Sequence, residues 1–176
     1  MSITTCLWFQ GDLDAALDRY ESLFADFEVH SVTRMGADEP ALLADWRMHG
    51  TEFRAISQPS EFRFNESMSL SVVVEDQDEV DRLWDGLIAG GGEESMCGWL
   101  KDAFGLSWQI IPRRLYELLS DPVPARAQAA QAEMLRQRRL VVADLEAAAD
   151  RAGSAGIDRS RIHDASILAR SVLPNC

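Results

Sequence analysis

The residues best suited to bind another molecule are hydroxyl and amide side chains on two predicted strands. Ser69 and Ser71 alternate with apolar residues in one segment, and Ser107 and Gln109 alternate with apolar residues in another. Because successive side chains of a strand point to opposite faces, these four residues share one polar face. Such a face can hydrogen-bond an uncharged or weakly polar small molecule. The alternative is that these groups meet only solvent or one another.

The opposite face of the same strands carries the bulky residues and is expected to pack beneath helices. Trp108 belongs to this face, so it is interpreted as a core residue rather than a platform for a ligand. Trp8, which shares its strand face with Cys6, is interpreted as core in the same way.

An internal repeat positions these strands. A strand-like segment ending at Asp12 precedes a helical pattern, and 64 residues later a segment ending at Asp76 precedes a second one. Either aspartate suits a helix N-cap. Three further strand-like segments follow each helix, at 28–34, 42–48 and 52–58 in the first copy and at 93–97, 98–102 and 106–111 in the second. Since a strand–helix–three-strand unit cannot close its own core, the two copies should pair.

The chain resembles the PhnB-like proteins of the vicinal-oxygen-chelate superfamily, which includes glyoxalases and bleomycin-resistance proteins. The resemblance covers about residues 3–120 and is carried by residues 7–9, 62–66, 76–81 and 97–115. It implies an α+β fold of two paired βαβββ modules with a C-terminal helical extension. The implied glyoxalase-like domain spans residues 1–112, with modules at about 1–60 and 66–112.

Members of this superfamily often hold a metal on the concave face of the sheets. The matching positions are Thr5 and Ser69 on the first strands. On the last strands they are Gln109 and Phe53, or a same-face neighbour of Phe53, Ala55 or Ser57. A divalent cation needs several His, Asp, Glu or Cys donors at about 2.0–2.6 Å, so no metal and no other cofactor is expected. The predicted ligand-binding set is therefore Thr5, Ser69, Ser71, Ser107 and Gln109, with Asn65, Glu66 and Trp99 at the rim.

PhnB-like sequences are often named as demethylubiquinone methyltransferases, but methyl transfer is not expected here. A Rossmann-type site for S-adenosylmethionine needs a glycine-rich turn between a strand and a helix. The glycines at 90–92 follow a helical pattern instead of opening one.

The chain beyond the repeat becomes helical in pattern. Residues 113–152 are expected to form C-terminal helices, rich in alanine in their second half, and residues 153–176 a flexible tail. Because superfamily members commonly dimerise, the resemblance implies a homodimer, to which these helices could contribute.

The charge and apolar content exclude several classes of partner. The net charge is −12, and residues 1–112 hold 21 acidic against 7 basic side chains, which disfavours nucleic-acid binding. No signal peptide and no apolar run of about 20 residues is seen, so no membrane partner is expected. Three cysteines without paired spacing argue against a disulfide framework. A cytoplasmic protein is expected.

Three hypotheses of function follow from these patterns. The first is a metal-independent protein that binds a small molecule in the concave sheet cup. The second is an enzyme that acts on a small metabolite without a metal or with an atypical one. The third is an interaction module whose cup is vestigial. An enclosed cavity of a few hundred Å³ would favour the first two.

Overall fold

The computed structural model describes residues 3–155. Within them, eight strands form two four-stranded sheets, and five helices complete the fold. The first module contains β1 (Thr5–Phe9), α1 (Leu13–Leu23), β2 (Glu28–Thr33), β3 (Leu43–Met48) and β4 (Thr51–Ser57). The second contains β5 (Ser69–Val74), α2 (Gln77–Ile88), β6 (Glu93–Glu94), β7 (Trp99–Lys101) and β8 (Ser107–Pro112).

The two sheets have the same topology. Their strand orders are β1-β4-β3-β2 and β5-β8-β7-β6. In each sheet the first strand of the module runs parallel to the last, and the other neighbours are antiparallel. The predicted α+β fold of two βαβββ modules is therefore confirmed.

The two module helices begin differently. Asp76 caps α2, since its carboxylate accepts a hydrogen bond of 3.0 Å from the backbone N–H of Glu79. The Glu79 carboxylate in turn accepts from the backbone of Glu75. Asp12 stands at the N-cap of α1 but makes no capping hydrogen bond with its side chain, because its carboxylate accepts from the backbone N–H of Gln10. The capping role predicted for Asp12 is wrong.

One hydrophobic core joins the modules. The inner faces of both sheets and the apolar sides of α1 and α2 form a single buried cluster. Trp108 is fully buried in it, with its ring 5.4 Å from that of Tyr20 and 5.6 Å from that of Phe24. Helix α1 of the first module therefore packs on the sheet of the second. The two copies pair, as predicted, through the sheet faces that carry the helices, so the opposite, open faces lie outside this core.

Three helices follow the second sheet: α3 (Arg113–Leu119), α4 (Pro124–Met134) and α5 (Val142–Ala155). They surround a second apolar cluster that includes Ile111 of β8. The segment between α4 and α5 is fastened to α2 by Gln77, whose side chain donates to the carbonyl of Leu140 and accepts from the N–H of Val142. The predicted C-terminal helices are present. Residues 156–176, most of the predicted tail, lie outside the described residues.

Candidate functional site

The open face of the second sheet carries the polar row predicted from the sequence. Ser69 pairs with Ser107, and Ser71 with Gln109, across the parallel strands β5 and β8. Within this row the amide of Gln109 donates a hydrogen bond of 2.8 Å to the hydroxyl of Ser69. The four residues predicted from strand alternation therefore lie together.

The predicted rim residues are placed in two different ways. Trp99 is half-buried and pairs with Gln109 across β7 and β8, and Glu66 forms an ion pair with Lys101 of β7. The Lys101 ammonium also donates a hydrogen bond to the Glu66 carboxylate, and this bond holds the pKa of the carboxyl below its usual range. Asn65 is exposed, and its side chain accepts from the backbone and the hydroxyl of Ser67. Asn65 thus shapes a turn beside the site.

The predicted placement of Thr5 and Trp8 is wrong. Leu7 and Phe9 are the buried residues of β1, so Thr5, on their side, faces the core instead of the open face. Trp8 lies on the open face with Cys6; its ring meets Phe62 edge-on and its indole N–H donates to the carbonyl of Gln58. Strand alternation alone does not say which face of a strand is buried. In β1 the face with Leu7 and Phe9 is buried, and the face with Trp8 is not.

The open face of the first sheet is occupied by charged residues that pair across strands. Arg54 of β4 donates to Asp45 of β3 at 2.7 Å, and Arg47 pairs with Glu28 of β2. The hydrogen bond from Arg54 lowers the pKa of the Asp45 carboxyl. His30 lies 3.2 Å from Glu52. These charges satisfy one another, so this face has little need of a ligand.

A cavity of about 490 Å³ lies where the two modules meet. We call it the junction cavity. Every residue of β5 lines it on one side, along the strand edge that no other described strand pairs with. The other walls are mainly apolar and come from α1, the β3–β4 hairpin, α2 and β8: Leu23, Phe24, Ala25, Met48, His49, Thr51, Phe53, Glu79, Arg82, Leu83 and Trp108.

A second, smaller pocket of about 110 Å³ opens at the far side of the second sheet's polar row. We call it the acidic pocket. It is lined by Glu66, Glu93, Glu94, Ser95, Trp99, Leu100, Lys101 and Ser107. The predicted site residues therefore divide: Ser69 and Ser71 line the junction cavity, whereas Glu66, Trp99 and Ser107 line the acidic pocket.

The described residues offer no cluster of three or more His, Cys, Asp or Glu side chains placed to hold a metal ion. His30 and His49 are each paired with carboxylates, His49 with Asp26 at 3.4 Å. Cys97 is buried.

A buried carboxylate at the module interface was missed by the sequence analysis. Asp102 accepts hydrogen bonds from the hydroxyl of Tyr20 (2.7 Å), the indole of Trp108 (2.8 Å) and the backbone N–H groups of Phe104 and Leu106. Burial raises the pKa of Asp102 and, with the adjacent carboxylate, that of Tyr20. Because all its partners are internal, Asp102 is a structural residue that ties α1 to the second sheet. The only sequence signal was an aspartate opening the tight turn at Phe104–Gly105.

Comparisons with known proteins agree on the family and the fold. The model of the 3-demethylubiquinone-9 3-methyltransferase family matches residues 1–111. Among curated proteins, none matches the sequence. A solved structure of a Bacillus cereus protein, described as a putative 3-demethylubiquinone-9 3-methyltransferase and PhnB protein, is 31% identical, with a TM-score of 0.58 over 64% of this chain and 99% of that one.

Two more distant structures share the fold. Protein PA1353 from Pseudomonas aeruginosa is 20% identical, with a TM-score of 0.52 over 64% of this chain and 97% of that one. The fosfomycin resistance protein FosX from Listeria monocytogenes is 14% identical, with a TM-score of 0.51 over 69% of this chain and 98% of that one. In the part of this chain that the structure describes, no helix has the length and apolar character to span a bilayer.

Proposed function

Because the chain belongs to the PhnB-like, 3-demethylubiquinone-9 3-methyltransferase family of the vicinal-oxygen-chelate superfamily, we propose that it binds a small molecule in the junction cavity. The observation that carries this proposal is the cavity itself. Its volume of about 490 Å³ falls within the range of about 300–1,000 Å³ typical of small-molecule sites.

The lining of the junction cavity supports an uncharged or weakly polar ligand. Phe24, Phe53 and Trp108 supply apolar and aromatic surface, which usually makes up most of a ligand pocket. The unpaired edge of β5 adds backbone donors and acceptors, and Ser69 and Ser71 add hydroxyl groups. A flat, largely apolar molecule with a few carbonyl or hydroxyl groups matches this lining.

We further infer that binding does not depend on a metal. Of the four positions matched to superfamily ligands, Ser69 and Gln109 lie on the open face, where a hydroxyl and an amide are poor ligands for a divalent cation. Thr5 and Phe53 face the core instead, so the predicted placement of Phe53 is wrong as well. Elemental analysis of the purified protein tests this inference, and a stoichiometric bound metal would overturn it.

The name of the matching family suggests methyl transfer, and the local structure does not favour it. The turn between β1 and α1 holds one glycine, Gly11, and the turn between β5 and α2 holds Glu75 and Asp76. Neither has the glycine-rich form that brings a backbone against a nucleotide cofactor. We therefore do not propose a methyltransferase.

An enzyme is the second candidate, because two side chains of the kinds that act as general acids or bases, Glu79 and His49, line the junction cavity. The Glu79 carboxylate, however, accepts from the backbone N–H of Glu75, and His49 lies beside Asp26, so both already have structural partners. Mass spectrometry of each bound compound after incubation distinguishes turnover from binding.

The homodimer remains part of this proposal. The edge strands β1 and β5 each pair with a described strand on one side only, and such open strand edges tend to pair with another chain. Light scattering tests the dimer. Hydrogen exchange then shows whether the partner covers β5, in which case the junction cavity would be filled by protein and the binding proposal would be wrong.

A cytoplasmic location is also kept as a proposal.

A thermal-shift screen with metals, dicarbonyls, polyketide-like and glycopeptide compounds tests binding directly. A ligand present at about 100 times its Kd adds about 2.7 kcal/mol of stability. For each hit, Thr51→Trp places a large side chain at an exposed position of the cavity wall. Thr33→Trp, the same change at an exposed position of β2, is the matched control.

We expect Thr51→Trp to weaken binding by about tenfold or more, because filling the cavity removes the ligand's apolar contacts. Thr33→Trp should leave the affinity unchanged. Equal affinities for the two variants would place the ligand elsewhere and contradict the proposal.

A further inference from the structure

The acidic pocket contains a buried polar atom without a partner. Ser107 is 1% exposed, and its hydroxyl finds no hydrogen-bond partner among the described residues. An unpaired buried hydroxyl costs about 1–3 kcal/mol. Between residues 3 and 155, the other such side-chain atom is the indole nitrogen of Trp46, which borders neither cavity. A ligand in the acidic pocket would give the Ser107 hydroxyl the partner it lacks.

The charge of the acidic pocket indicates the sign of that ligand. Three carboxylates, those of Glu66, Glu93 and Glu94, face one cation, Lys101. Lys101 is engaged with Glu66. Glu94 accepts from the indole of Trp84 and has Arg138 at 3.9 Å. Glu93 makes no ion pair within residues 3–155. The net negative lining favours a cation, as does the chain's net charge of −12.

The shape and chemistry of the acidic pocket select among cations. Among the described residues, its walls include no group of three or more His, Cys, Asp or Glu side chains placed to hold a metal ion. Trp99 contributes an aromatic side chain of the kind that attracts organic cations. A volume of about 110 Å³ corresponds to about three or four water molecules. This is enough for an ammonium group and a few carbon atoms.

From these observations we propose that the acidic pocket binds the ammonium group of a small alkylamine. The ammonium N–H groups donate to the Glu93 carboxylate and the Ser107 hydroxyl, and the carbon chain lies along Trp99. The proposal goes beyond the binding proposed for the junction cavity and does not require it. The two cavities are nevertheless neighbours, because Ser69 of the junction cavity and Ser107 of the acidic pocket are paired across β5 and β8.

Calorimetric titration of the full chain with butane-1,4-diamine tests this proposal. Butane-1,4-diol, which has the same length without the charge, is the control compound, and sodium chloride matches the ionic strength. We expect one diamine per chain and binding of the diol that is weaker by about tenfold or more.

Three variants assign the site. Glu93→Gln should weaken diamine binding by about fivefold or more, because it removes a charge-assisted hydrogen bond. Glu21→Gln, which removes an exposed charge on α1, is the matched control and should change it little. Ser107→Ala should also weaken binding, while the melting temperature of the free protein stays the same or rises, because a buried unpaired hydroxyl has been removed.

The opposite responses of binding and stability in Ser107→Ala exclude a merely structural effect. Unchanged affinity in both Glu93→Gln and Ser107→Ala, or equal binding of diamine and diol, would overturn the proposal. Thr51→Trp in the junction cavity should leave diamine binding intact. If Thr51→Trp weakens diamine binding and Glu93→Gln does not, the proposal would also be overturned, and the junction cavity would be the amine site.

Discussion

The open faces of the two sheets have the same topology and opposite chemistry. On the first sheet, arginine and carboxylate side chains pair across neighbouring strands, as Arg54 does with Asp45. On the second, hydroxyl and amide groups form the row, and Ile111 at its end packs with the C-terminal helices. The inner faces of both sheets share one core. The pairing of the two modules therefore depends on the inner faces, whereas the open faces differ in what they contact.

This difference indicates where a ligand should bind. On the first open face, charged side chains pair with one another across the strands. The second open face has a Ser107 hydroxyl without a partner among the described residues and is bordered by two cavities. We therefore expect changes in the second module to affect both stability and binding, and changes on the first open face to affect little.

The largest contrast should be between two aspartates. Asp102 is 2% exposed and accepts four hydrogen bonds, so Asp102→Ala should cost about 3–5 kcal/mol by leaving buried donors unpaired. Asp45→Ala, on the first open face, should cost less than about 1 kcal/mol. Urea denaturation measures both. Similar losses would show that Asp102 does not tie the modules together.

Two isoleucines on the open faces give the next contrast. Ile111 is 4% exposed and contacts the C-terminal helical cluster, so Ile111→Ala should cost about 2–4 kcal/mol. Ile56 is only half-buried on the first open face, and Ile56→Ala should cost about 1 kcal/mol or less. Equal values would mean that the C-terminal helices add little to the second module.

Asp102 in the second module and Asp45 in the first should make the free energy of unfolding change with pH in opposite directions. Burial raises the folded-state pKa of Asp102, so the folded state binds this proton more tightly than the unfolded chain does, and the stability linked to that proton falls as the pH rises through the raised pKa. The hydrogen bond from Arg54 lowers the pKa of Asp45, so its contribution is lost as the pH falls. Denaturation of Asp102→Asn and Asp45→Asn between about pH 3 and pH 7 should show opposite slopes relative to the wild type. Slopes of the same sign would contradict this assignment.

The smallest effect should come from salt. Arg54 is 58% exposed and Asp45 32%, so their pair should contribute at most about 1 kcal/mol. Arg54→Met should therefore lower stability slightly at low salt and hardly at all at about 1 M salt, where the Debye length is about 3 Å. A loss that persists at high salt would mean that the pair is not simply a surface ion pair.

Much of the fold could be predicted from the sequence because the repeat is local and periodic. The capping pattern at Asp76 predicts α2, and the alternation of side chains around Ser69 and Ser107 predicts β5 and β8. Both patterns depend only on residues that are close together in the sequence. The inner face of β1 could not be predicted so easily, because Leu7, Trp8 and Phe9 are all apolar. Only the packing against α1 decides which of them is buried.

The site was only partly predictable for a related reason. The polar row follows from alternation within strands, but the junction cavity depends on how α1 meets the second sheet. No residue near Phe24 or Arg82 indicates in the sequence that it borders β5. The role of Asp102 depends in the same way on Tyr20, which is 82 positions away in the chain.

Chemical-shift mapping with the strongest compound from the thermal-shift screen tests the central claim most directly. Titration into ¹⁵N-labelled protein should produce saturable shifts along β5 and at the Trp108 indole, with little change on the first open face around Arg54. Shifts centred on that first face, or shifts that do not saturate, would contradict a small-molecule site at the junction of the modules.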